Sequence, residues 1–325
     1  MRKIVFLILY YLQIHKLIIF FKKKTLITLM LHRINHEIDP LWPSLTPKVF
    51  DKFINILKKN SSIISIRDFE SFNSKKIAFI LTFDDGYQDF YLNALPILNK
   101  YKVSANLNIC PKLIDKNELP WTQKVNYLLK HEYVILQKIF SKYLFVDIEE
   151  NKSSQNFNNI CSIIHSLNNQ NYINIINKIN NINYKFNKEI MSWDEVIQCS
   201  KKNIIIGNHS SSHLNLDKLD SKKIEEEINK SKKIIENKIN KNVNIFSLPN
   251  GISNEDIVKK LTKIYNYVLF SNDTGNLINK SNNTLLIDRI NISVNNEYEE
   301  FFRALGFHRL IKFLFNFLFK QNNKS

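Results

Sequence analysis

Short apolar segments rich in Ile, Val and Phe recur along this 325-residue chain and alternate with segments of helical periodicity. Strands that alternate with helices predict a parallel sheet or barrel, and a barrel of this length commonly forms one domain. We therefore expect an α/β barrel, with strands near residues 26–31, 63–66, 77–83, 104–109, 204–206, 243–248, 267–270 and 285–292.

Helix starts are marked between these segments. Thr46 and Pro47 offer an N-cap followed by a proline in the first turn, and the Ser192…Glu195 pair has the spacing of a capping box. Residues 151–187 are rich in Asn and only weakly periodic, so we interpret them as an insertion that need not take part in the chemistry.

Two short motifs follow predicted strands. Asp84 and Asp85 stand at the end of the 77–83 run, and His209 and His213 come soon after 204–206. One Asp and two His are enough to hold a catalytic zinc with an open position, and a second Asp beside them can act as a general base on a water activated by the metal. Gly86 permits a turn that brings both carboxylates to one pocket. The two motifs together predict a metal-dependent hydrolase.

The chain resembles the polysaccharide deacetylases with a NodB homology domain, carbohydrate esterase family 4, whose motifs are TFDDG and H-S/T-x-x-H. The similarity runs from about Leu29 to Ile292 and includes further segments in the same order: Met30–Ile34, Asp89–Leu98, Ser192–Val196, Gly207–His209 and Phe246–Gly251. It implies a distorted (β/α)7 TIM-like barrel, spanning residues 25–300 with the insertion included.

The resemblance also implies roles for individual residues. Asp84 would be the general base, and Asp85, His209 and His213 would bind a divalent metal, usually zinc in this family. The backbone N–H of Asn250, at the position of a family Tyr, would stabilise the oxyanion.

The sequence departs from the family pattern in two respects. Ser247 replaces the Arg that orients the base in many members, and we expect Arg289 to substitute for it. A Leu-x-His motif that would supply the general acid is missing near the end of the barrel. In a branch with permuted motif order a His on the N-terminal strand resembles the general acid, and His32 matches that arrangement; the alternative is a structural His.

A net charge of +16 predicts an anionic partner. Because the lysines are spread out and no nucleic-acid module is present, we expect no nucleic-acid partner. Cys110, Cys161 and Cys199 form no CxxC pair, which favours a reducing compartment.

Both ends of the chain are apolar. Residues 1–24 are expected to form an apolar helix on a membrane or docked on the domain, because no small-residue cleavage site follows it and Lys22–Lys24 favour the cytoplasmic side. Residues 301–325 are expected to form a basic amphipathic helix and tail that contacts a membrane surface, the alternative being a helix docked on the core.

These features predict a metal-dependent hydrolase that removes an acetyl group from N-acetylated sugars of a surface polysaccharide or lipid-linked saccharide. We expect it as a peripheral protein at the cytoplasmic face of the inner membrane, the alternative being an anchored and exported protein. A deformylase or O-deacetylase acting on a lipid-linked sugar, and an inactive barrel that binds glycan or membrane, are the other functions that the sequence leaves open.

Overall fold

The computed structural model describes residues 2–73, 75–182, 184, 189–281 and 283–309. Its sheet runs in the order β10-β1-β3-β4-β5-β6-β7-β9-β8, with β2 added beside β3. The strands are β1 (Leu26–Leu31), β2 (Ser62–Ile63), β3 (Ala78–Phe83), β4 (Ala105–Ile109), β5 (Ile204–Asn208), β6 (Ile245–Ser247), β7 (Tyr267–Leu269), β8 (Leu277–Ser281), β9 (Thr284–Ile287) and β10 (Ile290–Asn291).

One bent stretch of chain closes the sheet into a barrel. β9 pairs with β7, and β10 pairs in parallel with β1. Only Asp288 and Arg289 separate β9 from β10 in the sequence. β1, β3, β4, β5, β6, β7 and the β9–β10 stretch therefore surround one core, whereas β8 lies outside as an antiparallel neighbour of β9. The predicted distorted (β/α)7 barrel is confirmed.

Helices cover the barrel and extend it. They are α1 (Arg2–Tyr11), α2 (Ile14–Phe21), α3 (Pro47–Asn60), α4 (Leu95–Tyr101), α5 (Pro111–Lys116), α6 (Trp121–His131), α7 (Tyr133–Leu144), α8 (Ser154–Ser166), α9 (Asn169–Asn180), α10 (Trp193–Ser200), α11 (Ser221–Glu225), α12 (Ser231–Ile239), α13 (Glu255–Leu261) and α14 (Glu297–Ala304). The Thr46 side chain caps α3, and Ser192 and Glu195 form the predicted capping box on α10.

The Asn-rich segment is more regular than its composition suggests. It contains α8 and α9, which pack with α6 and α7 around a second apolar core. In α8 the buried side chains of Phe157, Ile160, Cys161 and Ile164 have helical spacing. The Asn residues between them dilute the periodic pattern in the sequence without interrupting the apolar face.

Two predicted strands differ from the expectation in length, one being shorter and one longer. The 63–66 prediction retains only Ser62–Ile63, because Ser65 caps a short 3-10 turn that starts at Ile66. Conversely, β5 continues beyond 206 to Asn208, since Gly207 and Asn208 pair with β4 although neither is apolar.

The N-terminal helices pack on the domain with one side only. His15 is buried, with its ring stacked on Tyr10 at 4.5 Å and 5.6 Å from the ring of Phe301. The opposite side exposes large apolar side chains: Ile4, Val5, Ile8, Tyr11, Leu12, Leu17, Phe20 and Phe21. Among the described residues no single helix is long and apolar enough to cross a membrane, and α1 and α2 reach that length and composition only as a pair bent by 72°. The predicted C-terminal amphipathic helix lies, from residue 310 on, outside the described residues.

A buried carboxyl group on α14 makes stability depend on pH. Burial raises the pKa of Glu300 to about 8, although its carboxylate accepts the backbone N–H groups of Ser293 and Val294. Because this folded-state pKa lies above the unfolded value, the stabilising contribution is complete below about pH 4 and is lost as the pH rises through 8.

We therefore expect Glu300→Gln to stabilise the protein more at about pH 8 than at about pH 5, by more than about 1 kcal/mol. Urea unfolding at the two pH values measures the difference. Glu255→Gln, which removes an exposed carboxylate on α13, is the matched control. A constant stability difference for Glu300→Gln across this range would contradict the expectation.

Candidate active site

The two sequence motifs meet at the carboxyl ends of β3 and β5. Asp85 and Gly86 both adopt positive φ angles, 75° and 76°, so the chain turns sharply directly after Asp84. Ser210 and His213 also adopt left-handed conformations, with φ of 64° and 58°. Such backbone is costly for residues other than glycine and persists where the surrounding structure enforces it. Its concentration in both motifs indicates that these two turns are shaped for function.

Asp85, His209 and His213 converge on one point. The Oδ1 atom of Asp85 lies 3.2 Å from Nε2 of His209 and 3.2 Å from Nε2 of His213, and all three side chains are buried. Yet Oδ1 forms no hydrogen bond of acceptable geometry among the described residues. Ligands about 2.0–2.1 Å from a tetrahedral zinc lie about 3.3 Å apart, close to this spacing. The three residues therefore fit a divalent metal.

Neighbouring groups orient these ligands. Nδ1 of His209 lies 2.9 Å from the carbonyl oxygen of Ser247, which accepts a hydrogen bond from the Nδ1–H group and so leaves Nε2 to face Asp85 as the ligand nitrogen. Glu227 holds the His loop by accepting hydrogen bonds from the backbone N–H groups of Ser211 and Ser212, both at 2.9 Å. Glu227 was not predicted as a site residue, because nothing in the local sequence distinguishes it from the charged residues around it.

Asp84 lies beside this cluster but in a different environment. Nη1 of Arg289 donates to Oδ1 at 2.9 Å and Nη2 to Oδ2 at 2.7 Å, while Asn108 and Ser247 donate to the same carboxylate at 2.7 and 3.1 Å. Burial alone would raise the pKa of Asp84, but the Arg289 and His209 charges outweigh it and hold the pKa well below its usual range. Asp84 is therefore ionised at neutral pH. Arg289, which we expected beside Asp84, forms a two-bond ion pair with its carboxylate.

Asn108 is a site residue that the sequence analysis did not identify. It projects from β4 beside Gly207 of β5, where a Cβ atom would come within 2.1 Å of the Asn108 Oδ1 atom. Glycine at 207 thus leaves room for the amide that donates to Asp84. A signal for it exists: Asn106 and Asn108 alternate in an otherwise apolar, buried strand, so both point to the same side.

The turn that holds Asn250 is linked to the Asn-rich segment. Asn250 has a φ of 56°, and its side-chain amide donates to Oδ1 of Asn215 at 2.7 Å. Asn215 is buried two residues beyond His213, and its backbone N–H donates to the Tyr172 hydroxyl of α9 at 3.0 Å. Its Nδ2 atom lies 2.8 Å from Nδ1 of His165 on α8. The helices that we treated as an insertion therefore help to position this turn.

His32 directly follows β1, whose carboxyl end lies at the same edge of the barrel as that of β3. It is half-buried, with its ring 5.6 Å from the ring of Trp42, in a pocket shared with Asn291 and Ser293. Burial lowers the pKa of His32, against the charges of Asp85 and Asp84, which favour its protonated form.

The structure is an α/β barrel with a two-His, one-Asp cluster and a separate ionised Asp at the carboxyl ends of its strands. This combination of fold and site is typical of hydrolases. The family model for polysaccharide deacetylases matches residues 72–268, and the chain belongs to that family. It is a carbohydrate deacetylase. A search of curated protein sequences gives no match.

Solved structures share the fold. The deacetylase PplD from Streptococcus pyogenes, in complex with acetate, is 16% identical with a TM-score of 0.56, over 86% of this chain and 97% of that one. A polysaccharide deacetylase from Bacillus cereus is 17% identical with a TM-score of 0.54, over 87% and 69%. IcaB from Ammonifex degensii is 12% identical with a TM-score of 0.53, over 87% and 96%.

Proposed function

We propose that this protein is a metal-dependent deacetylase that hydrolyses the N-acetyl group of a sugar unit and releases acetate and a free amine. The proposal rests on the convergence of Asp85, His209 and His213, in which Oδ1 of Asp85 lies 3.2 Å from Nε2 of each histidine. The neighbouring carboxylate, Asp84, is held by Arg289 and does not belong to this set of ligands. The family of the chain, the polysaccharide deacetylases, and its similarity to the Bacillus cereus polysaccharide deacetylase support a glycan substrate.

Zinc is the proposed metal, since two imidazoles and one carboxylate suit it. Bound by these three residues, it would supply Lewis acidity to the acyl oxygen and to a water molecule. Asp84 would accept a proton from the attacking water, because Arg289 keeps its carboxylate ionised and fixed in orientation. The backbone N–H of Asn250, presented by its left-handed turn, would donate to the oxyanion that forms.

The test of this function is acyl release by zinc-loaded protein, measured as free acetate and free formate. Paired N-acetylated, N-formylated and O-acetylated sugars separate the proposed reaction from a deformylase or an O-deacetylase. Release of acetate from the N-acetylated sugar supports the proposal. Stoichiometric zinc binding without release of any acid would reject it in favour of a binding module.

His32 is the proposed general acid, which delivers a proton to the leaving amine. We expect His32→Gln to lower kcat on an N-acetylated sugar by about 10²–10⁴-fold, the usual range for such a group. Hydrolysis of p-nitrophenyl acetate should change little, because its leaving group departs without a proton. Equal losses on both substrates would assign His32 a structural role instead.

We propose further that the protein works at the cytoplasmic face of a membrane, on a lipid-linked saccharide or a growing surface polysaccharide. The apolar side chains exposed on α1 and α2 include Leu17, Phe20 and Phe21, and Lys22–Lys24 follow directly. An apolar face bordered by lysines suits an anionic bilayer surface. The basic, aromatic sequence of residues 307–320 adds a second segment of the same character.

Sedimentation with phosphatidylglycerol vesicles tests this location. We expect the double variant Phe20→Ser, Phe21→Ser to bind the vesicles at least about tenfold more weakly than the parent protein. Val134→Ser, an exposed change on α7, is the matched control and should bind like the parent. A parent protein that stays in the supernatant with these vesicles would reject membrane binding and leave the deacetylase proposal intact.

A further inference from the structure

The turn that carries Asn250 is held in an unfavourable backbone conformation. Asn250 has a φ of 56°, and Gly251 follows with a φ of 68°. A Cβ atom on Gly251 would come within 1.9 Å of Oγ of Ser271, so the turn packs closely against the loop after β7. Left-handed backbone at a residue other than glycine persists where neighbouring groups enforce it. The side-chain amide of Asn250 donates to Oδ1 of Asn215 at 2.7 Å, which makes Asn215 one of these groups.

Asn215 is itself held from two sides, by α8 and by α9. It is fully buried, and its backbone N–H donates to the hydroxyl of Tyr172 on α9 at 3.0 Å. Because its Oδ1 atom accepts from Asn250, its Nδ2 atom is the donor of the amide, and that atom lies 2.8 Å from Nδ1 of His165 on α8. Burial lowers the pKa of His165 to about 4, so at neutral pH the imidazole is uncharged and Nδ1 can accept. A chain of hydrogen bonds therefore runs from His165 through Asn215 to Asn250.

This chain of hydrogen bonds starts in the second apolar core, outside the barrel. The ring of His165 lies 5.2 Å from the ring of Trp121 on α6, and the ring of Tyr172 lies 6.4 Å from that of Trp121. Trp121 and Tyr172 are buried members of the core that α6–α9 form. The position of Asn250 is thus tied to helices that carry none of the proposed metal ligands and not the proposed base.

We propose that His165 is a positioning residue for the deacetylation, which acts through Asn215 to fix the backbone N–H of Asn250 toward the oxyanion. This inference rests on the proposed function for the reaction itself. Removing one oxyanion donor from an enzyme costs about 10²–10³-fold in kcat. A turn that loses its anchor keeps the donor but places it less accurately, so we expect a smaller loss, about 10–100-fold. The loss should appear in kcat and not in KM, because the oxyanion forms only after the substrate is bound.

Two substitutions at His165 give opposite expectations for positioning and for packing. His165→Asn keeps an acceptor near the place of Nδ1 and removes the ring from Trp121, whereas His165→Phe keeps a ring and removes the acceptor. We expect His165→Phe to lower kcat for acetate release from an N-acetylated sugar about 10–100-fold, with KM and zinc content unchanged. His165→Asn should stay within about threefold of the parent. His131→Phe, an exposed change on α6, is the matched control.

Hydrogen exchange of the same proteins measures the turn independently of activity. The backbone N–H groups of Gly251 and Ile252 donate to carbonyl oxygens within the turn. Mass spectrometry of a peptide that spans 248–252 should show these amides exchanging at least about tenfold faster in His165→Phe and at the parent rate in His165→Asn.

The role of His165 is rejected if His165→Phe exchanges and turns over like the parent, or if His165→Asn is damaged as much as His165→Phe or more. The second pattern would assign the ring a packing role on Trp121. Failure of the proposed function has a different signature: the parent protein releases no acetate from any sugar, whereas the contrast in exchange between the two variants persists.

Discussion

Asp84→Asn should lower kcat for acetate release by about 10³-fold while zinc remains bound at the same stoichiometry. The reason is the division of roles between two adjacent carboxylates. Asp85 lies 3.2 Å from both ligand nitrogens, whereas Oδ2 of Asp84 lies 4.0 Å from Nε2 of His209 and is engaged by Arg289. An amide at 84 preserves the shape of the site and cannot accept the proton. The measurement is steady-state acetate release together with metal analysis of the purified variant.

A matched control separates the loss of a base from the loss of a buried charge. Asp89→Asn also neutralises a buried carboxylate that is paired with an arginine, Arg33, in the segment after β3. We expect that variant to keep kcat on a single-sugar substrate within about threefold of the parent. An Asp84→Asn protein with parent-like kcat, or one that loses its zinc, would contradict the assignment of Asp84 as the base.

The placement of this site could be predicted because its information is local. The apolar run of β3 ends at Phe83 and that of β5 near His209, and parallel strands bring their carboxyl ends together whatever the rest of the chain does. The barrel itself follows from the same alternation of strands and helices. The turn after Asp84 was anticipated at Gly86, and the structure shows that Asp85 takes a left-handed conformation as well.

What could not be predicted depends on contacts between distant segments. Glu227 supports the His loop from 15 and 16 residues away, and the amide of Asn108 fits only because Gly207 on the next strand has no side chain. The second core around α6–α9 was hidden by Asn residues that weaken the periodic signal.

Ser247 and Arg289 together hold Asp84 in place, although Ser247 stands where many family members have an Arg. Ser247 is small, and its hydroxyl both donates to Asp84 at 3.1 Å and accepts from Nη2 of Arg289 at 2.9 Å. Arg289 lies in the bend between β9 and β10, and its guanidinium is fixed further because Nε donates to the carbonyl of Phe270, the residue after β7. In many family members the corresponding Arg lies at the position of Ser247, on the strand before the turn of Asn250. Here the Arg is Arg289, between β9 and β10, where the barrel closes.

Arg289→Met should therefore be the most damaging single change to stability in this centre, at about 3–5 kcal/mol, because it leaves the Asp84 carboxylate buried without a partner. Arg289 is 1% exposed and forms a two-bond pair with Asp84. The low pKa of Asp84 stabilises the folded state above the unfolded pKa of about 3.9. Without Arg289 burial dominates, so the pKa of Asp84 rises and this contribution disappears. Urea unfolding at neutral pH measures the loss.

Activity should report the same change through its pH dependence. Asp84 works ionised, so a higher pKa moves the acidic limb of the kcat/KM profile of Arg289→Met to higher pH. Arg289→Lys keeps a positive charge without the planar fork, and we expect an intermediate shift in a more stable protein. Arg303→Met removes a half-exposed arginine that pairs with Asp273, and should cost about 1 kcal/mol with an unshifted profile. If Arg289→Lys and Arg289→Met both match Arg303→Met in stability and pH profile, Arg289 does not orient or ionise the base.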